Sequence, residues 1–142
     1  MENNTSIGIA PERLWGFLIE PRSWEKWWPA VTFAKSGDFK PLRERSTFEV
    51  SLTLGRLTTT LRGEVTLLAE PRALTWEARL WGVPLRQEWY LSKTGRGTRF
   101  TARSRFSGFG GLLLRWLRIQ RRWATMQSRQ GRSLKRLAER ML

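Results

Sequence analysis

The sequence predicts a single α+β domain, residues 1–142, in which an antiparallel sheet packs against a long C-terminal helix. Three observations support this fold class. Apolar and polar residues alternate through the centre of the chain, short turns join the alternating runs, and apolar residues near the C-terminus recur every three or four positions. Alternation with a period of two is typical of strands with one buried face, whereas the longer spacing is typical of an amphipathic helix. A chain of this length corresponds to one domain.

The first predicted elements are a strand and two short helices. Residues 5–9 form the strand, and Pro11 then opens a helix, because a proline costs no hydrogen bond at the first helical position. Pro21 ends that helix. A second helix covers residues 22–28 and stops at Pro29. Its tryptophans are spaced by three and four positions and therefore share one face: Trp24, Trp27 and Trp28.

Five or six antiparallel strands follow from Val31 onward as a meander. The clearest alternating runs are residues 48–54, 57–67, 74–80, 83–91 and 98–106. Connections as short as Gly55-Arg56 and Trp81-Gly82 allow only antiparallel neighbours. One face of the sheet is apolar. The other carries acidic residues that we expect to be solvent-exposed partners of arginines on adjacent strands: Glu49, Glu64, Glu77 and Glu88.

The C-terminal helix is strongly basic, since residues 110–142 hold nine of the 26 basic residues and one acid, Glu139. The arginines fall opposite the apolar stripe and predict an anionic-surface site: Arg115, Arg118, Arg122, Arg129, Arg132, Arg136 and Arg140. Three interpretations stay open. The face is simply solvated, it binds an anionic membrane surface, or it binds nucleic acid or another protein. Nucleic acid is the less favoured partner, because the chain contains no recognised binding motif.

Composition excludes several classes of site. The chain has no Cys and no His, so disulfides, thiolate nucleophiles, Cys/His zinc sites and imidazole acid–base chemistry are ruled out. We expect no cofactor, no metal and no catalytic residue. The net charge is +14, and no apolar run reaches the ~18 residues of a membrane span. A cytoplasmic protein without a signal peptide is therefore expected, and its oligomeric state is left open.

Five segments carry a resemblance to a known family. They are residues 9–15 (IAPERLW), 24–31 (WEKWWPAV), 71–76 (PRALTW), 89–91 (WYL) and 95–100 (GRGTRF). In their order and spacing, they resemble the SRPBCC superfamily, which includes START-like lipid-transfer domains and polyketide cyclase/dehydrase-like proteins. Family members often carry a glycine where this chain has Glu44-Arg45-Ser46.

The resemblance implies a helix-grip fold, in which a seven-stranded antiparallel sheet wraps around the C-terminal helix and leaves an apolar cavity between them. Alternation and helical spacing indicate which side chains face that cavity. The predicted ligand-binding residues are Trp28, Leu61, Trp76, Gln87, Trp89, Phe100, Trp116, Gln120, Trp123 and Gln127. The many tryptophans favour a small or flat ligand over a long lipid, because they fill part of the space.

The sequence therefore predicts binding of a hydrophobic small molecule or lipid between the sheet and the C-terminal helix. A carrier, chaperone or sensor is favoured over an enzyme, since the interior offers few groups for acid–base chemistry. The first alternative is a polyketide cyclase- or dehydratase-like enzyme. The second is a protein that binds an anionic membrane or nucleic-acid surface through the basic face of the helix.

Overall fold

The computed structural model describes residues 1–38, 40–107 and 113–140, and in the C-terminal helix it describes side chains from Ile119 onward. The elements in chain order are β1 (Glu2–Ile7), α1 (Pro11–Ile19), a 3₁₀ turn (Pro21–Ser23), α2 (Trp24–Trp27), β2 (Val31–Ser36), β3 (Thr47–Leu54), β4 (Leu57–Ala69), β5 (Ala73–Leu80), β6 (Val83–Thr94), β7 (Gly97–Phe106) and α3 (Leu113–Arg140). The predicted order of strand, two short helices, strands and long helix is confirmed.

The strands form one seven-stranded antiparallel sheet in the order β1-β7-β6-β5-β4-β3-β2. Strands β2 to β7 form a meander, and β1 adds to the free edge of β7, where Thr5 pairs with Phe100. The β5–β6 hairpin turns through Trp81 and Gly82, which have positive φ angles of 49° and 81°. Two consecutive left-handed residues match the right-handed twist of the flanking strands, which is why such turns favour tight hairpins.

Helix α3 covers the apolar face of the sheet and contacts β1, β3, β7 and α2. The approach to β1 is close because the helix has a glycine there. A Cβ atom at Gly131 would lie 2.3 Å from Thr5 Oγ1. At the end of α3, Glu139 Oε2 accepts hydrogen bonds from Gly8 N at 2.9 Å and Lys135 Nζ at 2.8 Å. These contacts fix the direction in which the helix crosses the sheet.

Three local features differ from the sequence-based expectation. Strand β1 begins at Glu2 and ends at Ile7, whereas residues 5–9 were predicted, because backbone pairing with β7 extends over polar residues. The predicted helix 22–28 divides into the 3₁₀ turn and α2. An irregularity in the β4–β5 register between Val65 and Leu67 reverses the alternation, so Leu67 is exposed rather than inward.

The loop before β3 contains a further feature of the backbone. Arg45 adopts a positive φ of 66°, and its N–H donates to Val65 O at 2.8 Å. This left-handed conformation is one that glycine adopts more readily than a residue with a Cβ atom, so the position is one at which the fold favours glycine.

Candidate functional site

The interior between the sheet and α3 brings together most of the predicted ligand-binding residues. Eight of them are buried: Trp28, Leu61, Trp76, Gln87, Trp89, Phe100, Trp123 and Gln127. Gln120 is half-buried, and the side chain of Trp116 lies outside the described residues. The four buried tryptophans are 0% exposed, so no surface of their rings can be reached by a water molecule. In this conformation, the predicted site is a closed and packed interior.

Trp89 lies at the centre of an aromatic cluster. Its ring centroid is 5.3 Å from that of Trp24, 5.6 Å from Trp27, 5.7 Å from Trp28 and 5.9 Å from Trp76. All four contacts are edge-to-face, the arrangement that the quadrupole of an aromatic ring favours. Residues from α2, β5 and β6 thus interlock beneath α3.

A chain of hydrogen bonds crosses from α3 to the sheet within this apolar interior. Gln127 Nε2 donates to Ala102 O at 3.0 Å, which fixes the orientation of that amide and turns its oxygen toward Ser104 and Gln87. Trp123 Nε1 donates to Ser104 Oγ at 2.7 Å, and Gln87 Nε2 donates to Gln127 Oε1 at 3.4 Å. The Ser104 hydroxyl lies against two acceptors, Gln87 Oε1 and Gln127 Oε1, which share its single proton.

Other buried polar atoms nearby have no hydrogen-bond partner among the described residues. They include two indole donors, Trp76 Nε1 and Trp89 Nε1, and one acceptor, Gln130 Oε1. By contrast, the indole of Trp24 donates to Leu18 O at 3.1 Å. An unpaired buried donor costs about 1–3 kcal/mol, so such groups are rare in folded proteins. The sequence gives no signal for them, because alternation shows which side of a strand a residue faces but not what its polar atom meets.

The outer face of the sheet holds a carboxylate that the sequence did not predict to be buried. Glu88 was expected on a solvent-exposed face, but it is 3% exposed, since neighbouring arginines and Tyr90 cover it. The Tyr90 hydroxyl donates to Glu88 Oε2 at 2.5 Å, and Arg86 Nε lies 3.2 Å from Glu88 Oε1. This hydrogen bond to the carboxylate, together with burial, raises the pKa of the Tyr90 phenol.

The predicted pairing of the other outer-face acids is confirmed in two cases. Glu49 lies 3.3 Å from Arg62, and Glu77 lies 4.0 Å from Arg86. Glu64 has no ion pair within the described part of the chain and stands opposite Glu77 across the β4–β5 ladder.

The basic face of α3 divides into two parts. Arg132, Arg136 and Arg140 are exposed and line neither described cavity. Arg122 and Arg129 border a cavity of about 470 Å³ between the helix and the end of the sheet, which we call the basic groove. The groove is lined by Pro29, Ala30, Thr53, Leu54, Gly55, Arg121, Arg122, Thr125, Met126 and Arg129. The side chains of Arg115 and Arg118 lie outside the described residues. Binding of an anionic surface by this face stays a prediction.

Two other kinds of site are absent from the described part of the chain. Within those ranges, no group of three acidic, His or Cys side chains is arranged to hold a metal ion. No helix in the same ranges is long and apolar enough to cross a membrane.

Comparison with known proteins identifies a family-level match. A family model described as polyketide cyclase / dehydrase and lipid transport matches residues 1–141. Among curated proteins, none matches this chain.

Solved structures share the fold at low sequence identity. Protein MLL2253 from Mesorhizobium loti is 23% identical with a TM-score of 0.71, and the match covers 99% of this chain and 96% of that one. The di-domain ARO/CYC StfQ from the steffimycin biosynthetic pathway is 16% identical with a TM-score of 0.79, covering 99% of this chain and 50% of its own. Protein TTHA0849 from Thermus thermophilus is 13% identical with a TM-score of 0.79, covering 96% of this chain and 94% of its own.

Proposed function

We propose that this chain, which belongs to the polyketide cyclase / dehydrase and lipid transport family, binds a hydrophobic small molecule in the interior between its sheet and α3. The proposed role is that of a carrier, chaperone or sensor. The observation that carries the proposal is the pair of buried indole donors without partners among the described residues, Trp76 Nε1 and Trp89 Nε1. They belong to adjacent rings in the same apolar interior, with centroids 5.9 Å apart.

These donors favour a particular ligand chemistry. A bound molecule with an acceptor oxygen would satisfy them, whereas a purely hydrocarbon chain would leave them unpaired. The surrounding surfaces are the faces and edges of Trp rings, which complement a flat aromatic molecule. We therefore propose a flat, uncharged aromatic ligand that carries a carbonyl or phenol oxygen.

The interior must rearrange to admit such a molecule, since the tryptophan rings now occupy the space. Movement of α3 relative to α2 is the simplest route. Trp28, the residue after α2, contacts α3 through a hydrogen bond from its Nε1 to Met126 Sδ. Thioether side chains adapt readily to new packing.

The proposal is tested with a double variant, Trp76→Phe with Trp89→Phe, which keeps two aromatic rings and removes both unpaired N–H groups. Flavone serves as the probe, because it is flat, neutral and carries a carbonyl oxygen. If both indoles donate to the ligand, the affinity for flavone falls roughly tenfold or more. Each substitution also leaves a small cavity in the packed core. Thermal stability is therefore expected to fall, but by less than the two cavities alone would cost, because two unsatisfied donors are removed. Tryptophan fluorescence quenching and a melting curve measure the two effects.

The matched control is Trp24→Phe, since the indole of Trp24 already has an acceptor. That variant is expected to lose stability while it retains most of its affinity for flavone. Unchanged flavone binding by the folded double variant, or no flavone binding by the wild-type protein, would contradict the proposal.

A further inference from the structure

Among the described residues, the arginines of the basic groove have no carboxylate partners. None of Arg121, Arg122 and Arg129 takes part in an ion pair within the described residues, and no acidic residue lines the groove. The second cavity, of about 540 Å³, differs in this respect. It is lined by Glu77 as well as by arginines, and its Arg86 and Arg105 lie against Glu88. Positive charge is therefore uncompensated in the basic groove, whereas two carboxylates offset most of it at the second cavity.

The three arginines surround Thr125 on the surface of α3. Thr125 is exposed and lies four positions after Arg121, three after Arg122 and four before Arg129. Residues at these spacings are neighbours on a helix surface, and all four line the groove. On the opposite wall, Gly55 has a positive φ of 64°, and a Cβ atom built there would lie 3.2 Å from Arg122 Nε. The turn is thus shaped to accommodate this arginine.

The floor of the groove is apolar. Met126 is 6% exposed and Leu54 is 2% exposed, and both line the cavity below the arginines. Arginine forks bind carboxylate, sulfonate and phosphate oxygens through two parallel charge-assisted hydrogen bonds. A groove with a cationic rim and an apolar floor complements a molecule with an anionic group at one end and a hydrophobic body.

We propose that the basic groove binds the anionic group of an amphiphilic small molecule. The anionic oxygens lie at Thr125 between the guanidinium groups, and the hydrophobic body lies on Met126 and Leu54. The inference does not rest on the interior site, because the groove is outside the closed aromatic cluster.

The test compares two probes that differ in one charged group. 8-Anilinonaphthalene-1-sulfonate is an anionic amphiphile, and N-phenyl-1-naphthylamine is the same ring system without the sulfonate. The variant is Arg122→Gln with Arg129→Gln, and the matched control is Arg132→Gln with Arg136→Gln, which removes the same charge from the same helix outside the groove. Dissociation constants come from probe fluorescence, and melting curves confirm folding.

In the groove variant, binding of the sulfonate is expected to weaken about tenfold or more, while binding of the neutral probe is unchanged. The control variant is expected to bind both probes like the wild-type protein. A separate variant, Thr125→Val, should weaken the sulfonate alone, and it tests the site even if the double variant does not fold. Three results would each overturn the proposal: unchanged sulfonate binding in the folded groove variant and in Thr125→Val, an equal loss in the control variant, or an equal loss of both probes.

Discussion

At the scale of single residues, Glu88 and Tyr90 form an unusual group on the outer face of the sheet. Arg86, Arg103 and Arg105 approach the Glu88 carboxylate from β6 and β7, at 3.2, 3.9 and 3.8 Å. A nearly buried carboxylate requires such partners, because an unpaired buried charge is strongly destabilising. The group therefore ties β6 to β7 on the side opposite α3.

The pKa of Tyr90 gives a direct measure of this group. The hydrogen bond to Glu88 is the main cause that raises the pKa above 10.0, the ordinary value, followed by burial. Since the folded pKa is the higher one, the associated stability is present below pH 10 and is lost as the pH rises through the raised pKa. We expect Glu88→Gln to return the pKa toward 10.0.

Absorbance at 295 nm, roughly where the phenolate absorbs, follows this titration, because Tyr90 is the one tyrosine in the sequence and the signal has a single source. Tyr90→Phe provides the blank. If the pKa of Tyr90 is the same in the wild-type protein and in Glu88→Gln, the hydrogen bond to Glu88 is not what raises it.

The sequence correctly predicted which face of the sheet these residues lie on, but it did not predict how deeply each one is buried. Alternation correctly assigned Gln87, Trp89 and Ser104 to the inner face and Tyr90 to the outer face. Alternation did not predict that Glu88 is buried. Two of the arginines that cover it come from β7, and the register of β7 against β6 cannot be read from the sequence of β6. The unpaired indoles of the interior were missed for a similar reason.

At the scale of elements, the contact between α3 and β1 depends on a glycine. Glycine is a poor residue for a helix interior, where alanine would be favoured by about 1 kcal/mol. At Gly131 this preference is reversed, because a Cβ atom would lie 2.3 Å from Thr5 Oγ1. The close approach also buries Gly131 itself.

We predict that Gly131→Ala lowers the stability by about 1–3 kcal/mol, as overpacking does at other tight contacts, despite the better helix propensity. The matched control is Gly16→Ala in α1, where a Cβ atom would meet nothing within 4 Å, and which should gain up to about 1 kcal/mol. Thr5→Ala in the Gly131→Ala background should recover most of the loss. Chemical denaturation measures all of these proteins, and a stabilising effect of Gly131→Ala would show that α3 lies farther from β1.

Element boundaries were predictable wherever a turn residue marks them. Gly55, Pro71 and the Trp81-Gly82 pair all separate strands in the expected places. The start of β1 could not be predicted, because its polar residues show no apolar alternation and are held by backbone pairing with β7. The exposed Leu67 could not be foreseen either, because one irregular residue reverses the pattern after it.

At the scale of the whole molecule, the need to cover one apolar face explains the architecture. A sheet with a single apolar face requires a covering layer, and the C-terminal helix is the one described segment long enough to supply it. That argument, with the SRPBCC resemblance, was sufficient for the fold. It could not decide whether the interior is open, because the pattern gives the side that a residue faces but not the volume that packing leaves between the layers.

The closed interior is expected to limit the rate at which a ligand binds. Since no surface of Trp28, Trp76, Trp89 or Trp123 can be reached by water, a molecule cannot enter until the layers separate. We expect the observed rate of flavone binding in a stopped-flow experiment to level off with flavone concentration at the rate of that opening. The basic groove needs no such step, so the rate for the sulfonate probe should rise in proportion to its concentration. A flavone rate that also rises without limit would mean that the interior is reached without opening. If the flavone rate levels off as expected, the packing of the tryptophans sets how long a ligand stays inside as well as how fast it enters.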